Sequence, residues 1–154
     1  VAPLRTDGPT MPRLPRPGRG NQAAFSRTAE DVVSESLGIE RNPLGVGGDT
    51  VPGSGPGGVR YPEFRVHGPE GSLATRHSLV EVKVSRNAIA RSGLSARDRA
   101  QLRDYVAHVR ELRASGGLAD AKVELFTNHT KPTRGEFRRY IQEGLLEWKP
   151  IPAP

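Results

Sequence analysis

Glu81-Val82-Lys83 sets a carboxylate and an ammonium on one side of a segment whose other side is Val80, Val82 and Val84. Alternate residues of a strand share a face, so Leu79, Glu81 and Lys83 point the same way. Charges on an apolar strand must reach solvent, pair, or bind an ion, because burying either alone is costly. Glu63, in Tyr61-Pro62-Glu63-Phe64, precedes Glu81 by eighteen residues. The connection through Gly68-Pro69-Glu70-Gly71 allows a hairpin that brings Glu63 beside Glu81. Two carboxylates with the Val82 carbonyl make a hard oxygen site of the kind Mg²⁺ or Mn²⁺ prefers. Lys83 beside it would hold or polarise an attacking water and neutralise charge developing on a phosphorus oxygen. The plainer reading of the triplet is a salt bridge on a solvated sheet face, which is worth little. His67, His77, His108 and His129 lack the close paired spacing of a zinc site.

The elements that position these groups follow from periodicity. A first helix is predicted over 26–37, with Phe25, Ala29, Val32, Val33 and Leu37 at helical spacing, a weak Thr28/Asp31 capping box and Gly38 as its stop. Glu30 and Glu35 lie on it about 140° apart around the axis, so they cannot both face a site on the sheet. Residues 38–58 carry eight Gly and three Pro and read as a long loop. Strands are predicted over 59–66 and 78–84, Pro62 restricting the first to an edge or bulge. A long helix over 96–114 is capped by Ser95 with Asp98 and buries Leu102, Tyr105, Val106, Val109 and Leu112. A strand over 122–127, a helix opened by a Thr133/Glu136 capping box, and a strand over 145–149 complete the order αββαβαβ. That order predicts an α/β domain over 23–154, its central mixed sheet flanked by helices.

Composition narrows the partners. The chain has 154 residues, no cysteine and a formal charge of +6. Disulfides, thiolate nucleophiles and Cys-ligated zinc are excluded. No apolar run approaches the ~20 residues that span a bilayer, so no membrane partner is expected. Residues 1–22, with five Pro and four Arg, read as an extended tether, and a chain opening on Val1 reads as a piece of a longer protein. Residues 23–85 are net acidic and 86–139 net basic. The basic half suits a polyanion such as nucleic acid. Arg97, Arg103, Arg138 and Arg139 are candidate phosphate contacts. His129, in a loop after a strand, is a weaker candidate for acid or base chemistry.

The run YPEF…LVEVKVS…QLRDYVAHVRE resembles the PD-(D/E)XK nuclease superfamily, especially restriction-endonuclease-fold toxin domains at the C-termini of bacterial polymorphic toxins. The resemblance covers about residues 26–149. It implies a restriction-endonuclease-like fold in which Glu63 stands at the Pro-Asp motif and Glu81 and Lys83 form the (D/E)xK pair. The family pattern favours Glu30 as the helix carboxylate. Gln101 and Tyr105 are similar to the Q-x-x-x-Y element of RecB-like members, near the substrate backbone or the site. The resemblance thus implies metal ligands Glu63, Glu81, Val82 and Glu30, catalytic Lys83 and Gln101, and Mg²⁺ or Mn²⁺ as cofactor. It also implies nucleic-acid cleavage in the cytoplasm of a rival cell, DNA preferred and RNA such as tRNA open, with a cognate immunity protein and a larger N-terminal delivery protein as partners. A non-catalytic nucleic-acid-binding module with a degenerate site is the alternative. The chain departs from the family in having Glu63 where Asp is usual; the extra methylene changes the carboxylate's reach.

Overall fold

The computed structural model describes residues 21–43, 47–87 and 93–151; residues 1–20, most of the expected tether, lie outside them. The first helix, α1, spans Gln22–Leu37. It starts earlier than periodicity predicts because Asn21 caps it, accepting from the Ala24 N–H at 2.9 Å. Thr28 therefore sits inside the helix, its hydroxyl donating back to the Ala24 carbonyl, and no Thr28/Asp31 box forms. Gly38 ends α1 in the left-handed region at φ 66°, where a side chain would be strained.

A two-stranded antiparallel ribbon follows, β1 (Val51–Pro52) with β2 (Val59–Arg60). Then come α2 (Ser72–Arg76), β3 (Ser78–Lys83), α3 (Ala96–Ser115), β4 (Lys122–Thr127), α4 (Gly135–Gln142) and β5 (Leu146–Pro150). Ser95 caps α3 as expected, accepting from the Asp98 N–H at 3.1 Å. Arg134 stands at the start of α4 without a side-chain cap, so the Thr133/Glu136 box is not made. Glu136 bonds Arg103 and the Tyr140 hydroxyl instead.

The fold is α/β, but its main sheet is not mixed. β3, β4 and β5 run parallel in that order, Glu81 opposite Leu125 and Lys83 opposite Thr127. The antiparallel ribbon is a separate sheet. Parallel neighbours need crossovers, and α3 and α4 supply them. One face of the sheet packs Leu79, Val123, Leu125 and Leu146 against Leu102, Tyr105, Val106 and Val109 of α3 and Phe137 of α4. The other packs Val80, Val82, Val84 and Phe126 against Phe25, Ala29 and Val33 of α1. The alternation read from 78–84 is thus a strand covered on both faces.

The hairpin expected between 59–66 and 78–84 does not form. Beyond Arg60 the chain pairs only through an isolated bridge between Phe64 and Arg41. The Val66 and His67 N–H groups donate to the Asp49 carboxylate, and the Arg65 N–H to the Glu40 carbonyl. With those donors taken, the segment turns at Gly71 into α2, which occupies the place of the expected second half of the turn.

Candidate active site

Glu81 and Lys83 occupy the carboxyl end of β3, the edge where open α/β sheets carry their ligand sites. Glu81 is fully buried and Lys83 half-buried on the α3 side. The Lys83 Nζ lies 3.7 Å from Glu81 Oε1 and 3.6 Å from Asp98 Oδ1. Asp98 is held there by the Ser95 cap at the opening of α3. Glu81 Oε1 accepts from the Val82 N–H at 3.3 Å, whereas Oε2 is buried with no hydrogen-bond partner. Burial pushes Glu81 up to about 6, with Glu63 adding to the rise and Lys83 opposing it. Burial would also strip the Lys83 proton, but Glu81, Asp98 and Glu63 outweigh it and raise its pKa, so the ammonium stays charged.

Glu63 reaches the same place from an irregular segment rather than a strand. Asn42 fixes that segment. Its N–H donates to the Glu63 carbonyl at 2.8 Å, and its side-chain amide donates to the carbonyls of Pro62 and Asp49. The Asn42 side-chain carbonyl accepts from the Asp49 N–H, closing the loop. Glu30, buried on α1, is pushed up to about 7 by burial and by the charge of Glu63, with Arg41 opposing. The Arg41 guanidinium bonds Glu30 and Asp31 at 2.7 Å each and lies 3.9 Å from Glu63.

A cleft of about 890 Å³ gathers Glu30, Glu63, Val82, Lys83, Arg97 and Gln101 on its walls. Glu81 is not on those walls; it is fully buried, 3.7 Å from the Lys83 ammonium. Of the two helix carboxylates, Glu30 faces this cleft and Glu35 is exposed elsewhere. Gln101 donates to the Tyr105 hydroxyl at 2.9 Å; Tyr105 itself is core, its hydroxyl beside Glu81. Arg103 turns away from the cleft to Glu136, and Arg138 borders neither this cleft nor the cavity beside it. Arg41, Asn42 and Asp98 were not singled out from the sequence as site residues. Asn42-Pro43 is a turn signal that could have marked Asn42, no local signal marks Arg41, and Asp98 enters the sequence reading only in the α3 cap.

The donor set suits a hard cation: carboxylate oxygens, one of them buried and unpartnered, with an ammonium alongside. Among the described residues no group of three or more His, Asp or Glu side chains is gathered to cage a metal. No family model, curated protein or solved structure matches the chain.

Proposed function

We propose that the chain is a metal-dependent phosphodiesterase domain of the PD-(D/E)XK type, cutting DNA in a competing bacterial cell. The observation that carries the reading is that Glu30, Glu63 and Lys83 line one cleft, from α1, the Pro62 segment and β3, with the buried Glu81 carboxylate 3.7 Å from the Lys83 ammonium. Helix carboxylate, then Pro-Glu, then E-V-K on a strand is the order the resemblance requires. The parallel three-stranded sheet and the irregular Glu63 segment depart from the restriction-endonuclease-like order that the resemblance implies.

Glu63 and Glu81, with the Val82 carbonyl, would hold Mg²⁺ or Mn²⁺, which supplies Lewis-acid polarisation and an activated water. Lys83, kept cationic by its carboxylate neighbours, donates hydrogen bonds to a phosphoryl oxygen as negative charge grows there. Water delivers hydroxide to phosphorus and its proton to the departing sugar oxygen, leaving a phosphate monoester and a hydroxyl end. Gln101 and Arg97 line the same cleft and would border the strand's path. A toxin role, with an immunity protein as antidote and an N-terminal delivery protein, rests on the family resemblance.

A second reading has its own support. Arg41 already neutralises Glu30 and approaches Glu63, as a degenerate, binding-only site would arrange. Nuclease assays on plasmid DNA and on total RNA separate the two. Cleavage in Mg²⁺ or Mn²⁺, its absence in EDTA, and a loss of at least about a hundredfold in Lys83→Ala are expected. RNA cut in preference to DNA would change the substrate. No cleavage of either, or cleavage indifferent to Lys83, would overturn the enzyme.

A further inference from the structure

A second cavity, about 640 Å³, adjoins the carboxylate cleft, and Gly93 and Leu94 line both. The first turns of α3 form the wall between them. Arg97 and Gln101, one turn apart, face the cleft; Arg99 and Arg103, also one turn apart, face the cavity. Lys131 and Arg134 close the cavity's far side, over a floor that includes Phe137 and Trp148. Four cations therefore meet one carboxylate, Glu136. That carboxylate is already engaged by Arg103 at 2.8 Å and by the Tyr140 hydroxyl.

Arg99, Lys131 and Arg134 are exposed, and no carboxylate lies within ion-pair distance of any of them among the described residues. Three like charges brought together around a concavity repel one another and lower the stability of the chain. A low-dielectric floor beneath them concentrates their positive potential. Neither property helps folding. Both are what an anion held in the cavity would use.

We infer that this cavity is an anion subsite for the backbone phosphates of a nucleic-acid strand, which runs from the carboxylate cleft across Gly93 and Leu94. The inference rests on the reading of that cleft as a phosphodiesterase site and adds where the rest of the strand lies. DNA and RNA share the phosphate chemistry, so both enter the test. Arg99, Lys131 and Arg134 contribute one phosphate contact each.

The experiment is fluorescence anisotropy of a labelled DNA duplex, its single strand and the same sequence as RNA, titrated with the full chain in EDTA so that nothing is cut. Arg99→Gln/Lys131→Gln/Arg134→Gln is compared with a charge-matched control, Arg27→Gln/Arg110→Gln/Lys122→Gln, whose residues line neither cavity. The cavity variant is expected to bind at least about tenfold more weakly than the control. Its slope of log affinity against log salt should be shallower by about 2 to 3. Thermal melts of both variants establish that they remain folded. Equal losses in the two variants, no loss in either, or no binding by the wild-type chain would overturn the subsite. Cavity-dependent binding without Mn²⁺-dependent cleavage upholds the subsite and sinks the enzyme. Cleavage with cavity-independent binding does the reverse.

Discussion

Glu81 is buried against the stability of the fold. Its carboxyl holds its proton more tightly in the folded chain, at about 6, than in the unfolded chain, near 4.5. Below the lower value both states are protonated and burial of the neutral acid costs little. As pH rises through the folded value the native state must ionise a group with an unpartnered oxygen, and stability is lost. The difference corresponds to about 2 kcal/mol at neutral pH and above. Glu81→Gln removes that ionisation. Measured by urea unfolding, the variant should gain on the wild type by about 2 kcal/mol between pH ~4 and pH ~8 while losing cleavage. A gap that stays constant with pH would mean that Glu81 is not held in this strained ionic state. A residue that weakens the fold yet stays beside a lysine fits the role proposed for it above.

At the scale of elements, Gly71 sets how closely α2 approaches the end of the Glu63 segment. Its φ is −74°, open to any residue, so the need for glycine there is spatial. A Cβ would stand 2.3 Å from the Val66 carbonyl oxygen and 2.4 Å from that of His67, both backbone atoms. Gly71→Ala must push the end of the Glu63 segment away from α2. It should cost about 1–3 kcal/mol in denaturant unfolding and lower cleavage further than that loss explains. A variant with native stability and activity would show that the segment moves freely. The same segment marks the limit of what the sequence carried. The strong alternation of 78–84, the Ser95 cap and the α3 stripe identified β3 and α3 nearly to the residue, because propensity and burial agree there. Glu81 and Lys83 take their places from that alternation on β3; Glu30 lies on α1, where spacing left it open against Glu35 and only the family resemblance favoured it. The Glu63 segment was misread as a strand because its backbone partners are side chains far off in sequence, Asp49 and Asn42, which local pattern does not reveal. Sheet direction was missed for a related reason: the intervening α2 is only five residues long and has no side-chain cap.

For the molecule as a whole, the sheet is tied by one buried acid at its centre. Glu124 of β4 is 1% exposed and receives Arg76 from α2 at 2.7 Å, the Ser78 hydroxyl from β3 at 2.6 Å and Lys149 from β5 at 2.9 Å. Burial alone would raise its pKa. The hydrogen bonds from Arg76, Ser78 and Lys149 and the charge of Arg76 outweigh it and bring the carboxyl down to about 2. Between that value and the unfolded 4.5, the folded chain binds fewer protons here than the unfolded chain, so acid favours unfolding. The contribution is fully present above pH 4.5 and disappears as pH falls through the folded value, on the order of 3 kcal/mol in all. Glu124→Gln should destabilise at neutral pH by about 3–5 kcal/mol, because Arg76 and Lys149 then face each other with the acid gone. It should also flatten the acid limb of the stability curve. Urea unfolding of both chains from neutral pH down to about pH 2 measures the two effects together. If the wild type and the variant lose stability in parallel over that range, the acid sensitivity comes from the overall +6 charge and not from this tie.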